Sequence, residues 1–294
     1  MPENEQQFST RNDSKSGSGS LYVVATPIGN LDDFSRRAIE VLQSVDLILA
    51  EDTRQTGKLL QQYAIKTRTR SYHQHNEAQL LDKHIALMQE GKSIALVSDA
   101  GTPLISDPGF PLVRAARLQK LQVVPVPGAS AVVAALSVAG LPVSRFCFEG
   151  FLPAKQAARL QQLQQLKDEV RTLVFYESTH RIAACLDDMT EVFGAKRLAV
   201  IARELTKTFE QIELDNLSGL QAWLAASDDH IKGEFVIIVD GAQQDNQDDS
   251  SMRKLLGLLL PHMGVKQAAQ IAAEFSGGGR NQMYEMALAL KSEK

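Results

Sequence analysis

Two runs in this sequence combine residue types suited to holding a small, polar, charged molecule. Ser98 to Gly109 reads SDAGTPLISDPG and directly follows the apolar run SIALV. Asp99 and Asp107 can accept hydrogen bonds from an amine or a ribose, Thr102 can donate one, and Pro103 and Pro108 hold the backbone in shape. A stretch so dense in Gly, Pro and Asp favours a binding loop over a merely tight turn. Ala25 to Asp33, ATPIGNLDD, follows the apolar run LYVV and brings Pro27, Gly29 and Asn30 to an equivalent place, with Asp32 or Asp33 expected to cap the next helix. No GxxxxGK(S/T) pattern occurs, which removes the best sign of phosphate transfer.

A second group of residues combines acids, bases and cations of the kinds that can move a proton and hold a developing charge. YESTHR (Tyr176, Glu177, Ser178, His180, Arg181) and ARELTK (Arg203, Glu204, Thr206, Lys207) both follow apolar runs and can project into one cleft. Glu204 and Lys207 are the candidates for chemistry or substrate placement, with Arg203 beside them, and Arg181 and Arg203 are candidates for holding phosphates. The competing reading makes Arg181, Arg203 and Glu204 a structural ion-pair network, and residue types alone leave both open. His73 and His75 in SYHQHNE stand two apart, but no matching Cys/His pair accompanies them. A hydrogen-bonding or substrate-facing role is therefore expected and no metal site. Glu51 to Arg54 end an apolar run and either reach a substrate or cap a helix, the commoner fate of such an acidic pair.

The elements that must position these residues alternate along the chain. From Leu21, short β-branched runs (LYVVAT, LILAED, SIALVSDAG, LQVVPVPG) interleave with amphipathic stretches (RRAIEVLQSV, QLLDKHIALMQEG), the pattern of an α/β domain with a largely parallel sheet. In such a sheet ligands sit beyond the carboxyl ends of the strands. GASAVVAALSVAG is a helix bounded by Gly128 and Gly140, and a second α/β set follows it. There RLAVIARE and TFEQIEL succeed each other without a helix, so antiparallel pairing is expected. The expected organisation is a disordered tail over 1–20, α/β domains over 21–127 and 128–241, an acidic linker over 242–251 and a small helical module over 252–294.

Composition agrees with a globular protein: 44% hydrophobic and 22% charged over 294 residues. The net charge of −4 argues at first against a nucleic-acid partner, but residues 251–294 carry six basic and three acidic residues, a local excess compatible with an RNA contact. Cys147 and Cys185 lie in apolar segments and are read as buried thiols of a reducing, cytoplasmic compartment. Neither a signal peptide nor a membrane-spanning run is apparent.

Taken together, ATPIGNLDD, AEDTRQTGKLL, HQHNE, ALVSDAGTPLISDPG, FEGFLPAK, FYESTHR, ARELTKTFE and KGEF resemble the tetrapyrrole-methylase-fold family, with a motif in nearly every strand-end loop from Leu21 onward. Within it they resemble the branch that methylates the ribose 2′-hydroxyl of a cytidine in 16S ribosomal RNA. The resemblance implies a two-domain α/β fold with a cofactor cleft between the domains, S-adenosylmethionine as cofactor, 16S RNA or the small ribosomal subunit as partner, and a homodimer. It implies cofactor contacts from Pro27, Ser98, Asp99, Ala100, Gly101, Thr102, Pro103, Ile105, Ser106, Asp107, Ser130, Phe175, Tyr176 and Glu234. The turn PGAS departs from the family pattern, where a second proline is expected, which opens the role of Ser130. Expected RNA contacts are Arg54, His75 and Arg181, with Lys266 and Arg280 in the C-terminal module, whose two helices read as a helix-turn-helix or as a packing cap. Two other readings stand beside this one: the same fold acting on a tetrapyrrole or another small molecule, and a non-catalytic RNA-binding factor of ribosome assembly.

Overall fold

A computed structural model describes residues 17–242, 247–276 and 279–292. The expected disordered tail up to residue 16, residues 243–246 of the expected acidic linker, and residues 277–278 lie outside the described residues. The chain first builds β1 (Ser20–Val24), α1 (Arg36–Ser44), β2 (Leu47–Ala50), α2 (Thr53–Gln62), β3 (Thr69–Ser71), α3 (Glu77–Gln89), β4 (Ile94–Val97), α4 (Phe110–Leu118) and β5 (Gln122–Val126). The five strands form one sheet in the order β3-β2-β4-β1-β5, and every pair is parallel. LILA in β2 and IALV in β4 are buried at every position, as strands covered on both faces must be. Alternation still decides which face each side chain meets: Ile48 and Ala50 join a core with Ala38, Leu42 and Leu60 of α1 and α2, whereas Leu47 and Leu49 join one with Ile85, Met88 and Leu112 of α3 and α4.

Caps set the helix starts. Ser35 Oγ accepts from the Ala38 N–H at 3.1 Å to open α1, and Asp52 Oδ1 accepts from the Arg54 N–H at 2.8 Å to open α2. Asp32 and Asp33, expected to cap, do not. A single 3₁₀ turn at Leu31–Asp33, itself capped by Asn30, intervenes and passes the role to Ser35.

The second set runs α5 (Ala131–Val138), β6 (Phe146–Phe151), α6 (Gln156–Leu166), β7 (Thr172–Ser178), α7 (Ile182–Phe193), β8 (Leu198–Arg203), β9 (Gln211–Asn216), α8 (Leu217–Ala225) and β10 (Glu234–Val239). Its sheet has the order β6-β7-β10-β8-β9. Only β6 and β7 pair in parallel; β10 runs antiparallel to both β7 and β8, and β8 to β9, so the expected antiparallel pairing is present. One consequence governs the site. Phe235 sits opposite Glu177 on one side and Arg203 on the other, so the start of β10 is wedged between the ends of β7 and β8. Cys185 is buried on α7, while Cys147 is only half-buried.

Both sheets belong to one compact unit, the chain up to Gln164 with Thr172–Val239. A second unit combines Gln165–Arg171 with the chain from Asp240. It holds α9 (Gln247–Leu259), α10 (Val265–Ser276) and α11 (Arg280–Ser292), so the stretch expected as a linker is helical from Gln247. Ala268, Ala269, Ala272 and Ala273 form a small-residue face on α10 that packs with Met252, Leu256, Met283 and Met286. Among the described residues, no helix is long and apolar enough to cross a membrane.

Candidate active site

A cavity of about 510 Å³ lies in the first unit, walled by the loops after β1, β4 and β5 and by the ends of β7 and β10. Because β1 and β4 are direct neighbours, their loops are stitched together. Thr26 N–H donates to Gly101 O at 2.8 Å, Gly101 N–H returns a bond to Thr26 O at 3.0 Å, and Thr102 Oγ1 donates to Ala129 O at 3.1 Å. Gly101 has φ of +80°, which favours glycine, but Leu104 and Ser106 also adopt left-handed φ of 73° and 69°. Among the described residues six non-glycines do so, and four of them, Leu104, Ser106, Glu204 and Thr206, fall in the loops after β4 and β8. Concentrated backbone strain of this kind marks functional loops.

Of the expected cofactor contacts, Asp99, Ala100, Gly101, Thr102, Ile105, Ser106, Asp107, Ser130, Tyr176 and Glu234 line this cavity. Pro27, Ser98, Pro103 and Phe175 do not. Pro27 and Pro103 are buried beneath the loops, Ser98 turns its hydroxyl to Ala100 O, and Phe175 points to the opposite face of β7 from Tyr176 and is fully buried. Sequence reasoning missed Ile28, Ala131, Phe151, Thr179, Ala202 and Leu205 on the wall. The spacing of FEGF was the available signal for Phe151, whose ring centroid lies 5.4 Å from that of Tyr176, with Phe148 at 4.9 Å.

The acidic side of the cavity is electrostatically loaded. Burial, reinforced by the charges of Asp107 and Asp99, pushes Glu51 up to about 6. Burial and Asp99 likewise push Asp107 up to about 6, against a hydrogen bond from Ser98. Asp99 Oδ1 accepts from the Asp52 N–H at 3.0 Å. Raised carboxyl groups make the fold hold protons that the unfolded chain has already released, so their contribution is most favourable below about pH 4 and is lost as pH rises to about 6. Replacing Glu51 and Asp107 by Gln and Asn should therefore raise the urea midpoint relative to wild type at about pH 7, with the difference shrinking toward about pH 4. A constant difference across that range would refute the assignment.

Beside the cavity, Lys207 is held between two carboxylates. Its Nζ lies 2.9 Å from Glu204 Oε1 and 2.7 Å from Glu234 Oε2, and Glu204 Oε1 also accepts the Glu234 N–H at 3.0 Å. Burial works to lower the lysine, but the two carboxylates outweigh it and hold the ammonium above its ordinary range. Burial likewise tends to raise Glu204, yet Lys207 and the Glu234 N–H bring it below its usual value. The loop after β1 abuts this group: Thr206 Oγ1 accepts the Asn30 N–H at 3.1 Å, and a side chain at Gly29 would run into Lys207. Gly233, with φ of +102°, leaves room for Glu204 in the same way.

The arginines expected to hold phosphates are otherwise committed. Arg203 is buried, its Nε donating to Lys232 O at 3.1 Å and its other arm to Gln211. Arg181 donates to Leu152 O and pairs with the buried Glu177 at 3.2 Å. Arg203 thus braces the turn before β10 and the start of β9, and Arg181 ties the loop after β6 to β7 while its Nε keeps no partner among the described residues. Arg54 is exposed and forks onto Asp52, and His75 is exposed with its ring 5.8 Å from that of His73. Lys266 in α10 and Arg280 in α11 are exposed on the second unit. No cluster of His, Cys, Asp or Glu fit to hold a metal occurs among the described residues.

An all-parallel sheet and a mixed sheet share one strand-end cavity, a two-sheet α/β architecture. Residues 20–221 match the family described as Tetrapyrrole (Corrin/Porphyrin) Methylases, and the chain belongs to that family. Residues 246–291 match the RsmI C-terminal HTH domain. The ribosomal RNA small subunit methyltransferase I of Xylella fastidiosa (strain Temecula1) is 52% identical over 267 residues, covering 90% of this chain and 98% of that protein. The protein of the same name from Pseudomonas aeruginosa is 50% identical over 273 residues, covering 92% and 97%. Among solved structures, a diphthine synthase superposes with a TM-score of 0.59 at 14% identity, covering 80% of this chain and 95% of that one. The uroporphyrin-III-C-methyltransferase from Thermus thermophilus gives 0.51 at 20%, covering 76% and 94%. These last two likenesses show the fold.

Proposed function

We propose that this protein transfers a methyl group from S-adenosylmethionine to the ribose 2′-hydroxyl of a cytidine in 16S ribosomal RNA, free or in the small subunit, as a cytoplasmic homodimer. The observation that carries the chemistry is the Lys207 ammonium held between Glu204 and Glu234 on the strand end that also walls the cavity. The relatives named for ribosomal RNA, matched over nearly their whole length, support the substrate class.

The residues present fit the cofactor. Carboxylates at Asp99 and Asp107, with Glu51 behind them, suit a ligand carrying an ammonium and a sulfonium, since a cation relieves their mutual repulsion. Tyr176 and Phe151 offer an aromatic wall to a purine, and the volume lies in the range of small-molecule sites. When bound, the cofactor supplies an already activated methyl group. What remains for the protein is to align the hydroxyl and manage its proton. Lys207, kept protonated by its neighbours, lowers the hydroxyl's pKa and stabilises the oxygen as it loses its proton, while Glu204 or Glu234 accepts that proton. Arg203 acts through the backbone, bracing Lys232 and hence the turn into β10. Arg54 and His75 at the strand ends, and Lys266 and Arg280 in the second unit, contact RNA. The Arg54–Asp52 pair is exposed and weakly held, so its guanidinium can turn to a phosphate at little cost.

Thermal-shift titration tests the cofactor site. S-adenosylmethionine should raise the melting temperature of the wild type, and Asp99→Ala should weaken apparent affinity roughly 10- to 100-fold, the loss of one charge-assisted hydrogen bond. A wild type that ignores the cofactor would leave only the RNA-binding reading.

A further inference from the structure

A second cavity, about 700 Å³, shares Gly233 with the first and has Glu204 on its wall. Its lining is neither apolar nor cationic: Glu204, Glu210 and Asp229 outnumber Arg203 and Lys232, so it repels a phosphate. It does carry Phe209, a large apolar side chain left 71% exposed, with no ring partner among the described residues. Phe209 is not loosely placed. The loop that bears it is tied to itself, with Thr206 N–H donating to Glu210 Oε2 at 2.6 Å and Glu210 N–H to Lys207 O at 3.1 Å. Next to it, Arg203 occupies the side-chain carbonyl of Gln211, which turns the donors of that amide away from the arginine. Asp229 and Lys232, paired at 2.8 Å on the same wall, add an acceptor and a donor.

A solvent-facing aromatic ring, amide donors and carboxylate acceptors, without net positive charge, match the face and pairing edge of an unstacked nucleobase. We propose that this cavity takes the base of the reacting nucleotide, stacked on Phe209, with its pairing edge toward Gln211 and Asp229. The inference rests on the reading of Lys207 as the group that meets the ribose hydroxyl. The base is joined to the adjacent carbon of that same ribose, and Phe209 lies two residues along from Lys207 in one tied loop. The RNA must therefore present this nucleotide unpaired.

Steady-state methyl transfer to small ribosomal subunits that lack the modification tests the proposal, using wild type, Phe209→Ala and Phe209→Trp. Calorimetric titration of S-adenosylmethionine, melting temperature and sedimentation accompany each. Loss of one base–aromatic stack should raise KM for subunits roughly 5- to 100-fold in Phe209→Ala. Cofactor affinity, melting temperature and oligomeric state should stay at wild-type values, and Phe209→Trp should recover most of the loss. An unchanged KM in Phe209→Ala, a failure of tryptophan to rescue, or a loss that follows cofactor affinity or dissociation into a smaller species would each overturn the assignment. A wild type that binds the cofactor yet leaves RNA unmethylated would remove the underlying reading, and it is detected before any variant is compared.

Discussion

Lys207→Met is expected to bind S-adenosylmethionine as the wild type does and to slow methyl transfer by about 10²- to 10⁴-fold, the span that acid–base and oxyanion-stabilising groups typically contribute. The lysine is 28% exposed at its side chain and is absent from the first cavity's wall, so its removal opens no hole in a core. Its two partners differ. Glu234 is largely exposed and can relax into water, whereas Glu204 is tied to the β10 backbone. Glu204→Gln should therefore keep the loop geometry, since the amide carbonyl still accepts the Glu234 N–H, while losing the charge that anchors Lys207. Single-turnover kinetics separates the outcomes: a lower rate at saturating cofactor supports the role given to Lys207, and a matching loss of cofactor affinity would show it belongs to the binding site.

The largest effect on stability should come from a buried pair that has no part in this chemistry. Arg159 on α6 and Asp188 on α7 form an ion pair with side chains 5% and 2% exposed, and Gln156 donates to the same carboxylate at 2.9 Å. Burying two charges is costly in itself, and the pair is tolerated because each charge meets the other. Asp188→Ala strands a guanidinium in the interior and should cost about 3–5 kcal/mol, a large part of the stability of an ordinary domain. Replacing both partners with apolar residues of similar volume, Arg159→Met with Asp188→Leu, should restore most of the loss, because no lone charge then remains. Urea unfolding followed by circular dichroism measures both. An alanine variant within about 1 kcal/mol of wild type would mean that water reaches the pair.

Much of this architecture is legible in the residues. The parallel sheet follows from short apolar runs alternating with amphipathic ones, and the neighbourhood of ATPIGN and SDAGTP follows from the rule that loops at strand carboxyl ends converge. The antiparallel return of β10 is not legible in the same way. It is what places Gly233 and Glu234 beside Arg203 and Glu204, and no local spacing encodes a partner some thirty residues away. Charge type also says nothing about exposure, which is why Arg181 and Arg203 read as phosphate ligands although each also donates to a backbone carbonyl and Arg203 is buried. Ile28, Ala131 and Leu205 escape a sequence reading because apolar residues carry no chemical signature until a cavity shows which of them face it. Helix α2 is signalled only at its start, by the acidic pair expected to cap a helix: Asp52 supplies that cap, whereas TRQTGKLLQQ itself has few apolar positions and a glycine inside.

Methyl transfer to a ribose of ribosomal RNA is tested most directly by incubating the protein with labelled S-adenosylmethionine and small ribosomal subunits from cells that lack this gene, then identifying the labelled nucleoside by mass spectrometry. A single labelled product, 2′-O-methylcytidine, is the predicted result. Label on a base, or no label in RNA from a protein that still binds the cofactor, would contradict it and turn attention to a small-molecule acceptor in the same cleft.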